Sequence, residues 1–211
     1  MVDELVKIAT NSVELEGNLC IPDNATGLVI FSHGSGSSRL SPRNNYVAQV
    51  IQQRRLGTLL FDLLTEEEDR EYQRRFNIEL LTERLVYATE WLEKLPECEA
   101  LPLGYFGSST GAASALKAAA RLSSRIESVV SRGGRPDLAM NVLYQVKAPT
   151  LLLVGGLDYQ IITFNQQAYD RLTCVKELKI IPDATHLFEE HGKLEEVAQL
   201  AADWFKQHLK S

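Results

Sequence analysis

The chain has 211 residues, of which 45% are hydrophobic and 24% charged, and its 22 basic against 28 acidic side chains give a net charge of −6 at pH 7. That length suffices for one large core and is short for two, so a single domain over residues 1–211 is expected. No block of basic residues marks a nucleic-acid partner, no apolar run reaches the ~20 residues of a membrane span, and the charged start, Met1-Val2-Asp3-Glu4, carries no signal-peptide apolar stretch.

In chain order, Val6–Thr10 and Val13–Ile21 alternate apolar and polar residues around Asn11-Ser12, which predicts an antiparallel hairpin. Thr26–Ser32 is nearly all apolar, the pattern of a strand buried on both faces, and the same is expected of 56–64, 101–106, 126–130, 149–154 and 175–181. Helical spacing falls between these runs, over 44–54, 78–95, 112–122, 161–172 and 194–209. In the last of these, Val197, Leu200, Ala201, Trp204 and Phe205 form the inward stripe. A hairpin followed by alternating strands and helices predicts an α/β fold: a mostly parallel central sheet with helices on both faces. The polar stretch Thr65–Asn77 reads as a solvated loop or helix start, with a short lid over the site as the alternative. Cys20, Cys98 and Cys174 are odd in number and form no C-x-x-C. They read as small buried apolar residues in a reducing cytoplasm, not as a disulfide framework or a metal site.

Ligand sites on such sheets lie beyond the carboxyl ends of the strands, so the residues that follow each apolar run carry the functional information. After 101–106 comes Gly107-Ser108-Ser109-Thr110-Gly111, then an alanine-rich helix. A G-x-S-x-G turn between strand and helix needs small residues on either side of its serine, because the two backbones nearly touch there. The central residue, Ser109, is the candidate nucleophile, and Ser108 is set aside as a packing residue. After Thr26–Ser32 comes His33-Gly34-Ser35-Gly36-Ser37-Ser38, a loop of small residues with exposed N–H groups. Ester hydrolysis by serine needs donors for the oxyanion that forms, and the N–H groups of Thr110 and Ser35 are the candidates. The loop lacks the lysine of a phosphate-binding G-x-x-x-x-G-K-[ST] pattern.

A serine hydroxyl needs a base, and an imidazole base needs a carboxylate to fix its tautomer. Asp158 follows the run 149–154 and His186 follows 175–181, so nucleophile, acid and base occur in the order Ser, Asp, His. His33 reads as structural, His191 as solvated, and His208 as a residue of a helix C-terminus. Among the acids, Asp183 reads as a turn residue, and Asp62 could lie near the site, but Asp158 is favoured by position.

The set HGSGSS (33–38), GSSTG (107–111), GGLD (155–158) and ATH (184–186) resembles the α/β-hydrolase superfamily, and the short chain is most similar to dienelactone hydrolase-like proteins. The resemblance runs from about residue 13 to residue 209. It implies the α/β-hydrolase fold without a cap domain, and a cofactor-free acyl-enzyme hydrolase. Its nucleophile would be Ser109, its acid–base His186, its orienter Asp158, and its oxyanion hole the N–H groups of Ser35 and Thr110. Dienelactone hydrolase itself uses a cysteine nucleophile where this chain has serine, which favours a general serine esterase acting on small esters, lactones or thioesters.

Two arginine-bearing segments could shape specificity. Ser131-Arg132-Gly133-Gly134-Arg135-Pro136-Asp137 opens at a strand end, and Arg39 and Arg43 follow the oxyanion loop. Arg132 or Arg135 could hold an acidic substrate, guanidinium to carboxylate; a loop salt bridge with Asp137 or Asp62 is the more ordinary use. A hydrolase fold used as a ligand sensor is the competing function, because intact catalytic residues do not guarantee turnover. A nucleotide-binding module ranks behind both for want of a G-x-G-x-x-G or P-loop.

Overall fold

The computed structural model describes residues 1–209, so Lys210 and Ser211, the last two positions of the expected domain span, lie outside the described residues. Eight strands form one sheet: β1 (Val2–Ala9), β2 (Glu14–Ile21), β3 (Leu28–Ser32), β4 (Gly57–Phe61), β5 (Leu103–Ser108), β6 (Ile126–Arg132), β7 (Thr150–Gly155) and β8 (Lys176–Ile181). Their spatial order is β1-β2-β4-β3-β5-β6-β7-β8. The first three pair antiparallel and all later neighbours are parallel. Six α-helices connect them: α1 (Pro42–Gln52), α2 (Glu66–Arg70), α3 (Ile78–Leu92), α4 (Thr110–Arg121), α5 (Tyr159–Arg171) and α6 (Lys193–His208).

The helices divide between the two faces of the sheet. On one, Val47 and Ile51 of α1 and Val197, Ala201 and Phe205 of α6 pack over Phe31, Phe106 and Leu153. On the other, Leu81, Leu85 and Leu92 of α3, Leu116 of α4 and Ala168 of α5 pack over Ile30, Tyr105 and Leu152. Strands β3, β4, β5 and β7 are buried along their whole length, and β6 at every residue except Glu127, because both faces are covered. The stripe expected on α6 faces inward, except that Leu200 is only half-buried and Ala198 and Ala202 share the buried face.

Three expectations change. Residues 175–181 were expected to be a strand buried on both faces, but β8 is the sheet edge and only Ile181 is buried; Lys176, Glu177 and Lys179 keep it polar, as an unpaired edge requires. The run 56–64 is strand only to Phe61. Leu63 and Leu64 stay buried beyond it, but the backbone leaves the sheet where the Leu63 N–H bonds to the His33 ring. Cys20 and Cys174 are half-buried rather than buried, Cys98 is buried, and all three are free.

Residues 65–77 are more tightly held than a solvated loop. Thr65 caps α2 through a reciprocal capping box with Glu68. Glu68 is buried against Arg84 of α3 at 2.8 Å, and Arg84 also reaches Thr10 in the β1–β2 turn at 2.7 Å. One buried guanidinium therefore ties α2, α3 and the hairpin together. Removing one member of a buried ion pair leaves the other charged and desolvated, at a cost of about 3–5 kcal/mol. Glu68→Ala should lower the unfolding free energy by about 3 kcal/mol, read as a fall in the urea midpoint at unchanged m-value. A loss under ~1 kcal/mol would mean that the segment contributes little to the fold.

Candidate active site

The carboxyl ends of β3, β5 and β6 meet at Ser109, and the loop after β8 packs against the ends of β6 and β7. Ser109 joins β5 to α4 with φ +51° and ψ −123°, a conformation a non-glycine residue adopts only under constraint. The constraint is visible. Ser109 N–H donates to Arg132 O (3.2 Å), and Ser109 O accepts from both Arg135 N–H (3.0 Å) and Ala112 N–H (3.1 Å). The flanking glycines are required by contact. A Cβ on Gly111 would lie 2.1 Å from Ser32 O, and one on Gly107 would lie 2.5 Å from Ala112 Cα. The side chain of Ser109 is half-exposed, whereas Ser108 is buried at the end of β5, as its packing role requires.

Asp158 and His186 are brought together by a second close approach. Gly155 lies so near the following loop that a Cβ would meet Ala184 O at 2.5 Å. Leu157 N–H then donates to Ala184 O at 2.9 Å. The outcome is a 2.6 Å hydrogen bond between His186 Nδ1 and Asp158 Oδ2, with the carboxylate mostly shielded and the ring about one-third exposed. That bond puts the ring proton on Nδ1 and leaves the Nε2 lone pair free. Ser109 and His186 rest on the same dipeptide: Arg132 O holds the serine amide, and the imidazole packs on Gly133. Among the described residues no hydrogen bond joins Ser109 Oγ to His186. Such bonds commonly tighten only when substrate is bound.

Two features of the imidazole loop escaped the sequence reading. Glu190 accepts from Thr185 N–H (3.1 Å) and Thr185 Oγ1 (2.5 Å), clamping the residue before His186, and the hydroxyl's bond holds the Glu190 carboxyl below its usual range. Phe188 is fully buried with φ +57°. Nothing in the spacing of Thr185-His186-Leu187-Phe188 announces either.

The loop after β3 lies against the serine, with a Cβ on Gly34 meeting Ser109 Cβ at 3.0 Å. His33, buried, supports it from behind. Its Nε2 accepts from Leu63 N–H and its Nδ1 donates to Gly34 O, so burial holds the ring neutral in a structural role. The Ser35 N–H does not stand free. It donates to Thr110 Oγ1 at 2.9 Å. Asp62 is occupied by Arg39, through both its backbone N–H and its guanidinium, and Asp183 is an exposed turn residue at φ +59°. His191 is exposed in the turn before α6, and the His208 ring lies 4.3 Å from that of Trp204 near the helix end.

The two arginines differ. Arg135 forms a bidentate pair with Asp137, 2.8 Å in each arm, and lies over the Phe164 ring. Arg132 is 7% exposed and has no carboxylate partner among the described residues; there its Nη1 is unbonded, and its guanidinium lies 5.9 Å from the Phe106 ring centroid. Burial, and secondarily the charge of Arg43, push it down to about 10, so it remains cationic at neutral pH. Arg43 itself pairs with Glu189. Among the described residues no cluster of histidine, cysteine and acidic side chains could hold a metal, and no helix is long and apolar enough to cross a membrane.

No family model matches the chain. The crystal structure of a dienelactone hydrolase from Anabaena variabilis is 54% identical, covers 99% of both chains and superposes with a TM-score of 0.96. The chain therefore belongs to the α/β-hydrolases, and within them to the dienelactone hydrolase family. The esterase Est1E from Butyrivibrio proteoclasticus (15% identity, TM-score 0.80, 96% and 98% of the two chains) and the Pyrococcus furiosus esterase Pf2001 (20%, 0.80, 99% and 93%) share the fold. Curated relatives in two Mycobacterium tuberculosis strains, provisionally named phosphoribosyl transferases, are 52% identical over 207 residues. Those residues are 98% of this chain and 47% of theirs, so the chain spans about half the length of the curated relatives it matches.

The Gly111 contact gives a direct test of the turn. In Gly111→Ala the new methyl meets backbone oxygen, which cannot rotate away, and thermal unfolding should report a loss of about 3 kcal/mol or more. A stability change under ~1 kcal/mol would show that β3 and α4 do not approach as described.

Proposed function

We propose that this protein is a serine hydrolase that cleaves small esters, lactones or thioesters through an acyl-enzyme, without a metal or organic cofactor. The observation that carries the reading is that the constrained, partly exposed Ser109 and the His186–Asp158 pair, whose Nε2 lone pair is unspent, both rest on Arg132-Gly133. In the first step Ser109 Oγ attacks the carbonyl carbon while His186 Nε2 takes its proton. The carbonyl electrons move onto oxygen, and the Thr110 amide and the loop bearing Ser35 flank the resulting anion. His186 then protonates the leaving alkoxide or thiolate. Asp158 holds the ring and offsets its positive charge, and water repeats the sequence on the acyl-enzyme.

Several properties support the reading. The Thr110 N–H opens α4 and has no intrahelical acceptor, so it is available to an anion. The net charge of −6 suits neither a nucleic-acid nor an anionic-membrane partner, and three free cysteines suit a reducing cytoplasm. The transferase name of the mycobacterial relatives belongs, on this reading, to the part of their length without a counterpart here. Phosphoribosyl pyrophosphate should accordingly yield no pyrophosphate with this chain.

A fluorophosphonate probe should label the wild type and leave Ser109→Ala unlabelled, and p-nitrophenyl acetate turnover should fall in that variant by about 10³-fold or more. Because the base must be neutral to accept the proton, turnover should fall on acidification. An unlabelled wild type, or undiminished turnover in Ser109→Ala, would exclude the mechanism. Labelling without turnover across an ester panel would instead favour a ligand sensor.

Substrate acidity is a separate proposal. Arg135 is committed to Asp137, which leaves Arg132 as the cation that could meet a carboxylate on the substrate. Arg132→Ala should reduce kcat/KM for a carboxylate-bearing ester about 10- to 100-fold more than for its neutral methyl ester, whereas Arg135→Ala should treat the two alike. Equal losses in Arg132→Ala would remove the idea.

A further inference from the structure

The Thr110 side chain stands out among the buried polar groups. It is 3% exposed, directly follows Ser109, and accepts the Ser35 N–H at 2.9 Å. An amide can only donate in that bond, so the threonine oxygen is the acceptor and its own hydrogen is left over. Among the described residues that hydrogen has no acceptor; Thr110 makes no side-chain bond besides the one from Ser35. A buried donor without an acceptor is costly unless something arrives to take it. Nearby, a Cβ on Gly34 would lie 3.0 Å from Ser109 Cβ and 3.8 Å from Ser109 Oγ, so the loop whose next residue, Ser35, bonds the Thr110 hydroxyl lies against the nucleophile.

We infer that the Thr110 hydroxyl is itself an oxyanion donor, aligned by the Ser35 N–H that it accepts. The inference rests on the serine-hydrolase reading and refines it. When Ser109 Oγ bonds to the carbonyl carbon and its proton passes to His186, the carbonyl π pair becomes the oxyanion's lone pair. Thr110 N–H and Thr110 Oγ–H both donate hydrogen bonds to it, and both are released when the carbonyl re-forms. No proton leaves Thr110. Ser35 acts one step removed: its amide polarises the hydroxyl, since a group that accepts one hydrogen bond donates a stronger one. Ser35 is thus a positioning residue and Thr110 a catalytic one, which differs from two backbone amides acting side by side.

The alternative geometry is a plug, in which the Thr110 oxygen merely occupies the Ser35 amide and substrate must displace it. The two oppose each other in sign. Thr110→Val keeps the shape and removes the hydroxyl. If the hydroxyl donates, kcat for p-nitrophenyl acetate falls about 10²- to 10³-fold with KM within about threefold, and Thr110→Ser, which returns the hydroxyl, recovers kcat to within about tenfold of wild type. Binding of phenyl trifluoromethyl ketone, whose adduct with serine carries the same oxyanion, should weaken in Thr110→Val in proportion to kcat. Thr110→Val retaining or exceeding a third of wild-type kcat would overturn the inference in favour of the plug. Should Thr110→Val fail to fold by thermal melting, Thr110→Ser alone decides, and a loss beyond about 100-fold there would overturn it. Ser109→Ala is measured alongside. If it turns over as the wild type does, the nucleophile is wrong; if it is inactive while Thr110→Val is not, only the role of the hydroxyl is wrong.

Discussion

A serine held at φ +51° costs about 1–3 kcal/mol relative to an ordinary conformation, and much of this structure can be understood as what holds it there. The β6 loop grips Ser109 from both its amide and its carbonyl. The β3–α4 approach leaves Gly111 no room for a methyl, and Ser32 Oγ bonds Ser114 Oγ at 2.7 Å across that same contact. The strain has no local remedy. It persists because strands that pair over their whole length fix where the turn must begin and end. The same parallel pairing brings the ends of β3, β5, β6 and β7 to one edge, so the constraint that bends the serine outward also gathers its neighbours.

Charge burial follows a different logic at the two buried arginines. Arg84 lies deep in the fold and is answered by Glu68 and Thr10, so its charge serves cohesion between α2, α3 and the hairpin. Arg132 is nearly as buried and, among the described residues, is answered by no carboxylate, only by the face of Phe106. Leaving a desolvated cation unpaired works against stability, and it does so on the very residue whose carbonyl holds the Ser109 amide. In the proposed reaction a cation in that position would raise the local potential felt by developing negative charge, whatever the substrate carries. Fold cohesion and the proposed site chemistry thus use the same residue type in opposite ways.

The sequence made much of the candidate site readable because the chemistry sits at strand ends, and strand ends can be read from where apolar runs stop. The candidates Gly107, Ser109, Gly111, Asp158 and His186 all follow from this rule. The loop after β3 was found too, but the use of its amide was not. That Ser35 N–H faces Thr110 Oγ1 depends on the angle between β3 and α4, which residue type does not encode. The Glu190 clamp on Thr185 and the positive φ at Phe188 were missed because they arise from how the β8–α6 connection folds back on itself. The edge exposure of β8 was misread for a related reason: apolar content at Leu178, Ile180 and Ile181 suggested a central strand, and only strand order reveals which strand has one neighbour.

By itself the sequence determined the element order, the hairpin, the two-faced burial of β3 to β7 and the identity of the residues at the turn, because these follow from local periodicity and from the steric demands of G-x-S-x-G. Tertiary structure alone decided pairings between distant residues: Asp158 with His186, Arg84 with Glu68, and, among the described residues, Arg132 with no acid. The physical reason is one of range. Periodicity and turn sterics act over a few residues, whereas which charge meets which counter-charge depends on the crossing of elements far apart in the chain, and desolvation acts only once those elements have closed around it.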